Sequence, residues 1–331
     1  MAPSKIRCWH SRDPGLAGLV LGHASRPEPG PGEVLVRVEA AALNFSDLLM
    51  IEDGYQVRPP RPFVPGQEIA GTVVATGCGI DLAVGERVMS KVTWGGFSEY
   101  ATVRADMAMR VPAELSVTDA AALPIVYTTA LVALTEITTV ARGETVLVLA
   151  AAGGIGLAAV QIACHLGAQV IAAAGGETKC ALARAHGGHR SVDYSLQGWA
   201  EAVKALTKER GVDIIVDPVG GELTGEALRL LAWGGRLLVV GFSSGEIPRI
   251  PAHRLLLRRA SAMGVYWSHD RDREMVRRAT QRLDGFLRAG IIRPHVSAVH
   301  GLSELPGALM ALRQRKTTGK IVLTIEGSTH R

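Results

Sequence analysis

The chain has 331 residues, long enough for two domains that each bury a core. Hydrophobic residues make up 47%, charged residues 20% and aromatics 5%, and the net charge is +5. No apolar run approaches the about 18 residues of a membrane helix. The opening stretch MAPSKIRCWHSRDPG lacks the apolar centre of a secretion signal, so a cytoplasmic protein with no membrane partner is expected.

The positive charge is mild and dispersed. Its densest stretches, RLLLRR (254–259) and RDREMVRR (271–278), interleave with apolar or acidic residues as solvated helix faces do. No stacking-aromatic or recognition motif accompanies them, which argues against a nucleic-acid partner. Cys8, Cys78, Cys164 and Cys180 form no C-x-x-C pair and predict neither a disulfide framework nor a zinc cluster.

The first third is β-rich and irregular. GEVLVRVEAAAL (32–43) alternates apolar and polar residues as a half-buried strand should, and EIAGTVVATG (68–77) and GERVMSKV (85–92) follow suit. Turns fall at PEPGPGE (27–33) and RPPRPFVPG (58–66). Near residue 120 the texture changes. DAAALPIVYTTALVALTEI (119–137) suits a helix started or broken at Pro124. Strand-like runs at 144–150, 168–175, 212–219 and 235–242 then alternate with helical patterns at 154–167, 179–187 and 223–233. Short, continuous apolar strands alternating with helices predict a doubly wound parallel sheet. Residues 273–290 form an amphipathic helix closed by Gly290, followed by IIRPHVSAVHGL, a helical ELPGALMALRQRK and a last strand GKIVLTIE. The expected organisation is a β-rich domain from 1–123 and 266–331, with a nucleotide-binding α/β domain inserted at 124–265.

The stretch VLVLAAAGGIGLAAVQIACHLGA (146–168) carries the chemistry. Ala151, Gly153 and Gly156 fall where the three glycines of a dinucleotide-binding turn belong, with Gly154 and Ile155 between the last two. The first position makes the turn, the second lets backbone N–H groups approach pyrophosphate, and the third packs helix on strand. Downstream, Gly175 and Gly176 leave room for a 2′-phosphate and Lys179 offers it a cation. Glu177, if pointed inward, would favour NAD instead.

The motifs AALNFSD (41–47), PGQEIAGTVVATG (65–77), GERV (85–88), GGFSEYA (95–101), AAGGIGLAAVQIA (151–163), DPVGG (217–221) and RKTTGKIVL (315–323) agree in order and spacing with a known family. The chain resembles the medium-chain dehydrogenase/reductase superfamily, within it the zinc-free quinone oxidoreductase (zeta-crystallin-like) branch. The resemblance covers nearly the whole chain. It implies a GroES-like catalytic domain plus a Rossmann domain, NADPH as hydride donor, and a homodimer. Where the zinc alcohol dehydrogenases have G-H-E this chain reads Gly66-Gln67-Glu68, and Asn44, Ser46 and Asp47 stand where their catalytic cysteine is found. Without thiolate or imidazole a catalytic zinc lacks ligands, so no metal is expected.

The same resemblance puts Asn44 and Tyr55 at the catalytic site, with Asp47, Gln67 and Glu68 supporting it. An amide can hold a carbonyl or a cofactor ribose, and a phenol can donate to an oxygen gaining charge. It further implies 2′-phosphate contacts at Gly175, Lys179, Tyr194 and Arg315. Thr128 and Gly241-Phe242-Ser243 would line ribose and nicotinamide, and Val265, Tyr266 and Trp267 would form an aromatic wall on the same pocket. His253, His269, His295 and His300 have no metal spacing and read as structural or exposed. The expected activity is hydride transfer from NADPH to a small electrophile, a quinone or conjugated enone. An enoyl-thioester reductase, with 254–259 meeting a CoA phosphate, and a NADPH-binding protein with a structural or RNA-binding role remain open.

Overall fold

The computed structural model describes residues 4–326. The chain divides into two compact units, one running to Ile125 and resuming at His295, the other spanning Val126–Pro294.

The first unit opens with an antiparallel hairpin of β1 (Lys5–Ser11) and β2 (Leu19–Ser25). It continues through β3 (Glu33–Ala42), α1 (Phe45–Ile51), β4 (Glu68–Thr76), β5 (Arg87–Lys91), β6 (Tyr100–Arg104), β7 (Met109–Arg110) and α2 (Val117–Ala121). The predicted alternation of β3 holds only around Val38, flanked by exposed Arg37 and half-buried Glu39. Leu35 and Ala40–Ala42 are buried as well, so most of the strand is covered on both faces, with Val34, Val36 and Val38 in one core cluster with Val73, Val88 and Val103. Asn44 ends this strand and starts α1, and the Asp47 carboxylate reaches back to its backbone N–H at 2.8 Å. That reciprocal arrangement satisfies a donor which would otherwise be orphaned in a buried helix start.

The chain crosses at α3 (Pro124–Leu131), where proline suits the first helical turn, and continues as a π-helical stretch over Val132–Ile137. The second unit then lays down β8 (Thr145–Val148), α4 (Gly154–His165), β9 (Gln169–Ala174), α5 (Glu177–Ala185), β10 (Arg190–Asp193), α6 (Trp199–Leu206) and β11 (Val212–Asp217). After these come α7 (Gly221–Ala227), β12 (Leu231–Val239), α8 (Ala252–Arg258), β13 (Ser261–Gly264) and α9 (Arg273–Arg288). All five pairings in its six-stranded sheet are parallel, in the order β10-β9-β8-β11-β12-β13. The order reverses direction beside β8, so the turns after β8 and β11 lie at the switch point where doubly wound sheets bind ligands.

The return to the first unit comes at His295 and not at the expected residue 266. The cause is α9. Its Val276, Ala279 and Leu283 are buried, and Arg278 and Arg282 donate to the nearly buried carboxylate of Glu136 at 2.7 and 2.9 Å. The Tyr127 hydroxyl and the Gln161 amide then hold the backbone of Arg293. Past that point β14 (Val296–Gly301), α10 (Leu305–Arg313) and β15 (Lys320–Thr324) complete the first unit. β15 pairs antiparallel with β3, which closes a seven-stranded, mostly antiparallel sheet. Among the described residues no helix is long and apolar enough to cross a membrane.

Candidate functional site

In the second unit, β8 turns into α4 through residues 149–153. The tight point is Ala150, with φ of 48°, one residue before the expected Ala151. Ala151 is fully buried and donates its N–H to the Ala173 carbonyl at 3.0 Å, which ties the turn to the next strand. Gly153 caps the helix and donates to the Ala150 carbonyl at 2.8 Å; Gly154, Ile155 and Gly156 form the first turn of α4. A Cβ on Gly156 would lie 2.2 Å from the Ala150 carbonyl oxygen, so helix and strand approach as only glycine allows. The first N–H groups of such a helix have no intrahelical partner and face the position an anion takes.

At the end of β9, Gly175 and Tyr194 come together: a Cβ on Gly175 would meet the Tyr194 ring at 3.4 Å. The Asp193 carboxylate accepts from Gly176 N–H and from the backbone and hydroxyl of Ser195, pinning this turn to the end of β10. The Gly176 N–H, followed by the Ser195 contacts, holds the Asp193 carboxyl below the usual carboxylate range. Lys179 lies half-buried in the first turn of α5. Glu177 is exposed and pairs with Arg184 two turns along the same helix. Its charge is thus partnered along α5, and the feature that favoured NAD loses its force.

Thr128 sits on α3 with 1% exposure, and its Oγ1 is buried without a hydrogen-bond partner among the described residues. A buried hydroxyl in that state is costly unless something else completes it, which marks it as a group that fits a ligand. Gly241, Phe242 and Ser243 follow β12; the backbone N–H groups of Gly241 and Ser243 bond to the Asp217 and Pro218 carbonyls. Asp217 was not among the expected site residues, yet it organises this corner. Its carboxylate accepts from Val219 N–H, Gly220 N–H and the Thr224 hydroxyl. The run DPVGG, a carboxylate three residues before a pair of glycines, is the signal for it.

The expected aromatic wall at 265–267 does not form as one face. Val265 and Trp267 are buried while Tyr266 is 60% exposed, because side chains alternate along extended backbone. The Trp267 indole donates to Thr129 Oγ1 at 3.0 Å, next to Thr128 in the chain. Arg315 belongs to the first unit, exposed at the turn after α10 with φ of 55°.

In the first unit, Asn44 lies over a closed buried network. Its Nδ2 donates to Glu68 Oε2 at 2.9 Å and to the Ala42 carbonyl at 3.4 Å. Lys320, 4% exposed, donates to Asn44 Oδ1 (2.6 Å), Glu68 Oε2 (2.8 Å) and the Leu43 carbonyl (2.8 Å). Glu68 Oε1 accepts the Ile125 N–H at 2.6 Å. The Ser46 hydroxyl donates to Gln67 Oε1 at 2.5 Å. Tyr55 is half-buried on the loop after α1. Lys320 is the residue sequence reasoning missed. A lone lysine opening the apolar run KIVLTI was the available signal, since a charge in a buried strand demands a partner.

Asp47 is fully buried, and its Oδ1 has no hydrogen-bond partner among the described residues. Burial pushes its carboxyl up to about 7; nearby Glu68 adds to the rise, while the Asn44 and Gln67 backbone bonds and Lys320 oppose it. A carboxyl whose folded value exceeds its unfolded one binds more protons when folded. Its contribution to stability is present at low pH and is lost as pH rises from about 4 toward 7. Asp47→Asn removes that titration, so urea melts of the variant and the parent should converge near pH 4. The variant should gain relative stability up to pH 7 and no further above it. A constant offset at every pH would contradict the assignment.

Residues 30–113 match the family described as alcohol dehydrogenase GroES-like domain, and residues 154–284 the zinc-binding dehydrogenase family. The chain is 39% identical over 305 residues to quinone oxidoreductase-like protein 2 of Mus musculus, covering 91% of this chain and 87% of that protein. A mycobacterial protein solved in complex with NADPH superposes with a TM-score of 0.90 at 31% identity, over 96% of this chain and 99% of that one. A polyketide synthase of Mycobacterium tuberculosis, described as mycocerosic acid synthase-like, is 32% identical over 95% of this chain but only 15% of its own length. With residues 30–113 of the first unit matching the GroES-like domain, a doubly wound unit carrying the glycine turn, and likeness over nine-tenths of its length, the chain belongs to the medium-chain dehydrogenase/reductase superfamily, among its quinone oxidoreductase-like proteins.

Proposed function

We propose that this protein is an NADPH-dependent, zinc-independent reductase acting on a quinone or similarly conjugated carbonyl. The observation that carries the reading is the strand–turn–helix cradle at Ala150–Gly156, closed so tightly that a Cβ at Gly156 has no space. The buried, unpartnered Thr128 hydroxyl and the glycine corner with Lys179 and Tyr194 fit the same ligand. In this reading Gly153, Gly154, Ile155 and Gly156 hold pyrophosphate, Gly175, Lys179, Tyr194 and Arg315 the 2′-phosphate, and Thr128, Gly241–Ser243, Val265 and Trp267 the ribose and nicotinamide. NADPH, when bound, supplies a hydride.

The chain's own share is positioning and electrostatics. Tyr55 donates a hydrogen bond to the oxygen on which charge develops, and Asn44 aligns a ligand from the edge of its network. The donor set around Asn44 does not suit a catalytic zinc: the Ser46 hydroxyl bonds to the Gln67 amide, the Asn44 amide bonds to Glu68 and Lys320, and Glu68 is already matched by Lys320. An acceptor that is electrophilic in itself needs no Lewis acid. An enoyl thioester meets that description too, and the similarity to a segment of a polyketide synthase favours it as the second reading.

A homodimer belongs to this proposal. β13 ends the parallel sheet with an exposed edge, and Trp233, Ile247, Leu256 and Leu257 are 66–78% exposed in this unit. An unprotected edge strand beside large apolar side chains suits pairing with a second copy. A cytoplasmic location is also proposed; the four cysteines carry no disulfide, as suits a reducing compartment.

The test follows NADPH absorbance with naphthoquinones, alkyl enones and crotonyl-CoA, before and after EDTA, on protein whose mass has been measured by sedimentation. Oxidation accelerated by a quinone or enone, unchanged by the chelator, in a species of twice the chain mass is the expected result. Stimulation by crotonyl-CoA alone would move the assignment to the thioester, and no stimulation by any acceptor would end the reductase reading.

A further inference from the structure

A cavity of about 410 Å³ lies within the first unit, bordered by the β1–β2 hairpin, β6 and the proline-rich loop 59–64. Sites for small molecules commonly have volumes of about 300–1,000 Å³. Neither Tyr55 nor any residue of the network under Asn44 lines it. Pro59, Pro60 and Pro62 supply rings held by their own covalent geometry, and Trp94 and Tyr100 supply aromatic surface. A wall that is rigid beforehand loses little freedom when a ligand settles on it. Arg61 ties the proline loop down, donating to Asp53 Oδ1 at 2.7 Å and to the Ile51 carbonyl at 2.8 Å.

No lysine, arginine, aspartate or glutamate is among the lining side chains. The buried Cys8 is neutral as well, because burial, with Glu99 adding to it, pushes its thiol up to about 11. One cation stands at the rim. Arg26, between the lining residues Ser25 and Pro27, lays its guanidinium over the Tyr100 ring at 4.7 Å from the centroid. Its Nε is buried and has no hydrogen-bond partner among the described residues, a costly state for a charged donor. Arg7 and Arg61, on the flanking elements, differ in being matched by Glu99 and Asp53.

We propose that this cavity is a second small-molecule site, for an aromatic monocarboxylate whose ring lies among the prolines, Trp94 and Tyr100 and whose carboxylate pairs with Arg26. The ring follows from the flat faces of the walls. The single negative charge follows from one unmatched cation beside an otherwise neutral lining. The carboxylate accepts charge-assisted hydrogen bonds from the guanidinium, which keeps its place on the Tyr100 ring. All the lining residues belong to the first unit and the glycine turn to the second, so the inference stands apart from the reductase reading.

The probe is 2-naphthoate, compared with 2-naphthamide, which keeps the ring without the charge, and octanoate, which keeps the charge without the ring. Calorimetric titrations of the full chain, with and without saturating NADPH, give each Kd, and thermal melts establish that each variant folds. Naphthoate is expected to bind once per chain, about tenfold tighter than either comparison compound, with a Kd that NADPH leaves unchanged. Arg26→Gln should raise the naphthoate Kd about tenfold and leave the naphthamide Kd where it was. Ala24→Phe, which fills the cavity from the hairpin, should abolish binding of both. Should that variant fail to fold, Trp94→Ala at a 44% exposed position should weaken acid and amide by the same factor. Displacement of naphthoate by NADPH, binding that ignores both Ala24→Phe and Trp94→Ala, or no binding at all would overturn the proposal. So would octanoate binding as tightly as naphthoate, or an Arg26→Gln loss equal for acid and amide.

Discussion

Gly156→Ala is expected to abolish dinucleotide binding and to destabilise the second unit by ~3 kcal/mol or more. The added Cβ would sit 2.2 Å from the Ala150 carbonyl oxygen and 2.7 Å from the Ala151 Cα, both backbone atoms that cannot swing aside. To relieve the overlap α4 must lift from β8 and β9, and the N–H groups of its first turn move with it. Gly153→Ala makes the informative contrast. Its Cβ would stand 3.3 Å from the Ala150 oxygen, a contact relieved by a few tenths of an ångström. That variant should fold with a melting temperature near the parent's and lose affinity only through obstruction of the ligand. Calorimetric melts with NADPH titrations separate the two. Equal melting temperatures for parent and Gly156→Ala would refute the packing argument.

Lys179→Glu should weaken NADPH by about a hundredfold or more while changing NADH little, since it replaces a charge-assisted contact with a repulsive one. Two observations make the discrimination sharp. Gly175 brings no side chain into the corner beside Tyr194, and the Glu177 carboxylate pairs with Arg184 along α5. The reversal would put a carboxylate where Lys179 stands. Matched titrations of NADPH and NADH against parent and variant measure the ratio directly; parallel losses for both nucleotides would remove the 2′-phosphate from this corner.

How far the sequence carried differs from element to element, for physical reasons. Strands such as 68–76 and helices such as 154–165 stood out because burial on one or both faces imposes a period that any reader of the chain can see. The hairpin of β1 and β2 did not, because its alternation is broken by Gly22 and by exposed Val20 and Leu21. The boundary at His295 was hidden for another reason. An amphipathic helix announces that it buries one face but not against what, and only the Glu136 contacts with Arg278 and Arg282 assign α9 to the parallel-sheet unit. Ala150 is a similar case: the small-residue cluster announced a turn, yet which alanine takes the left-handed conformation depends on the strand it leaves.

By itself, then, the sequence determined the two-part fold, the glycine turn and the absence of thiolate and imidazole at residues 44–47 and 66–68, since each is written in contiguous residues with a local physical signature. The tertiary structure alone decided three things. Glu177 pairs along its helix, Tyr266 and Trp267 differ in burial, and Lys320, 276 residues from Asn44, donates to the oxygen of its amide. Side-chain direction and long-range charge pairing depend on which strands become neighbours, here β15 beside β3, and no local pattern encodes that adjacency.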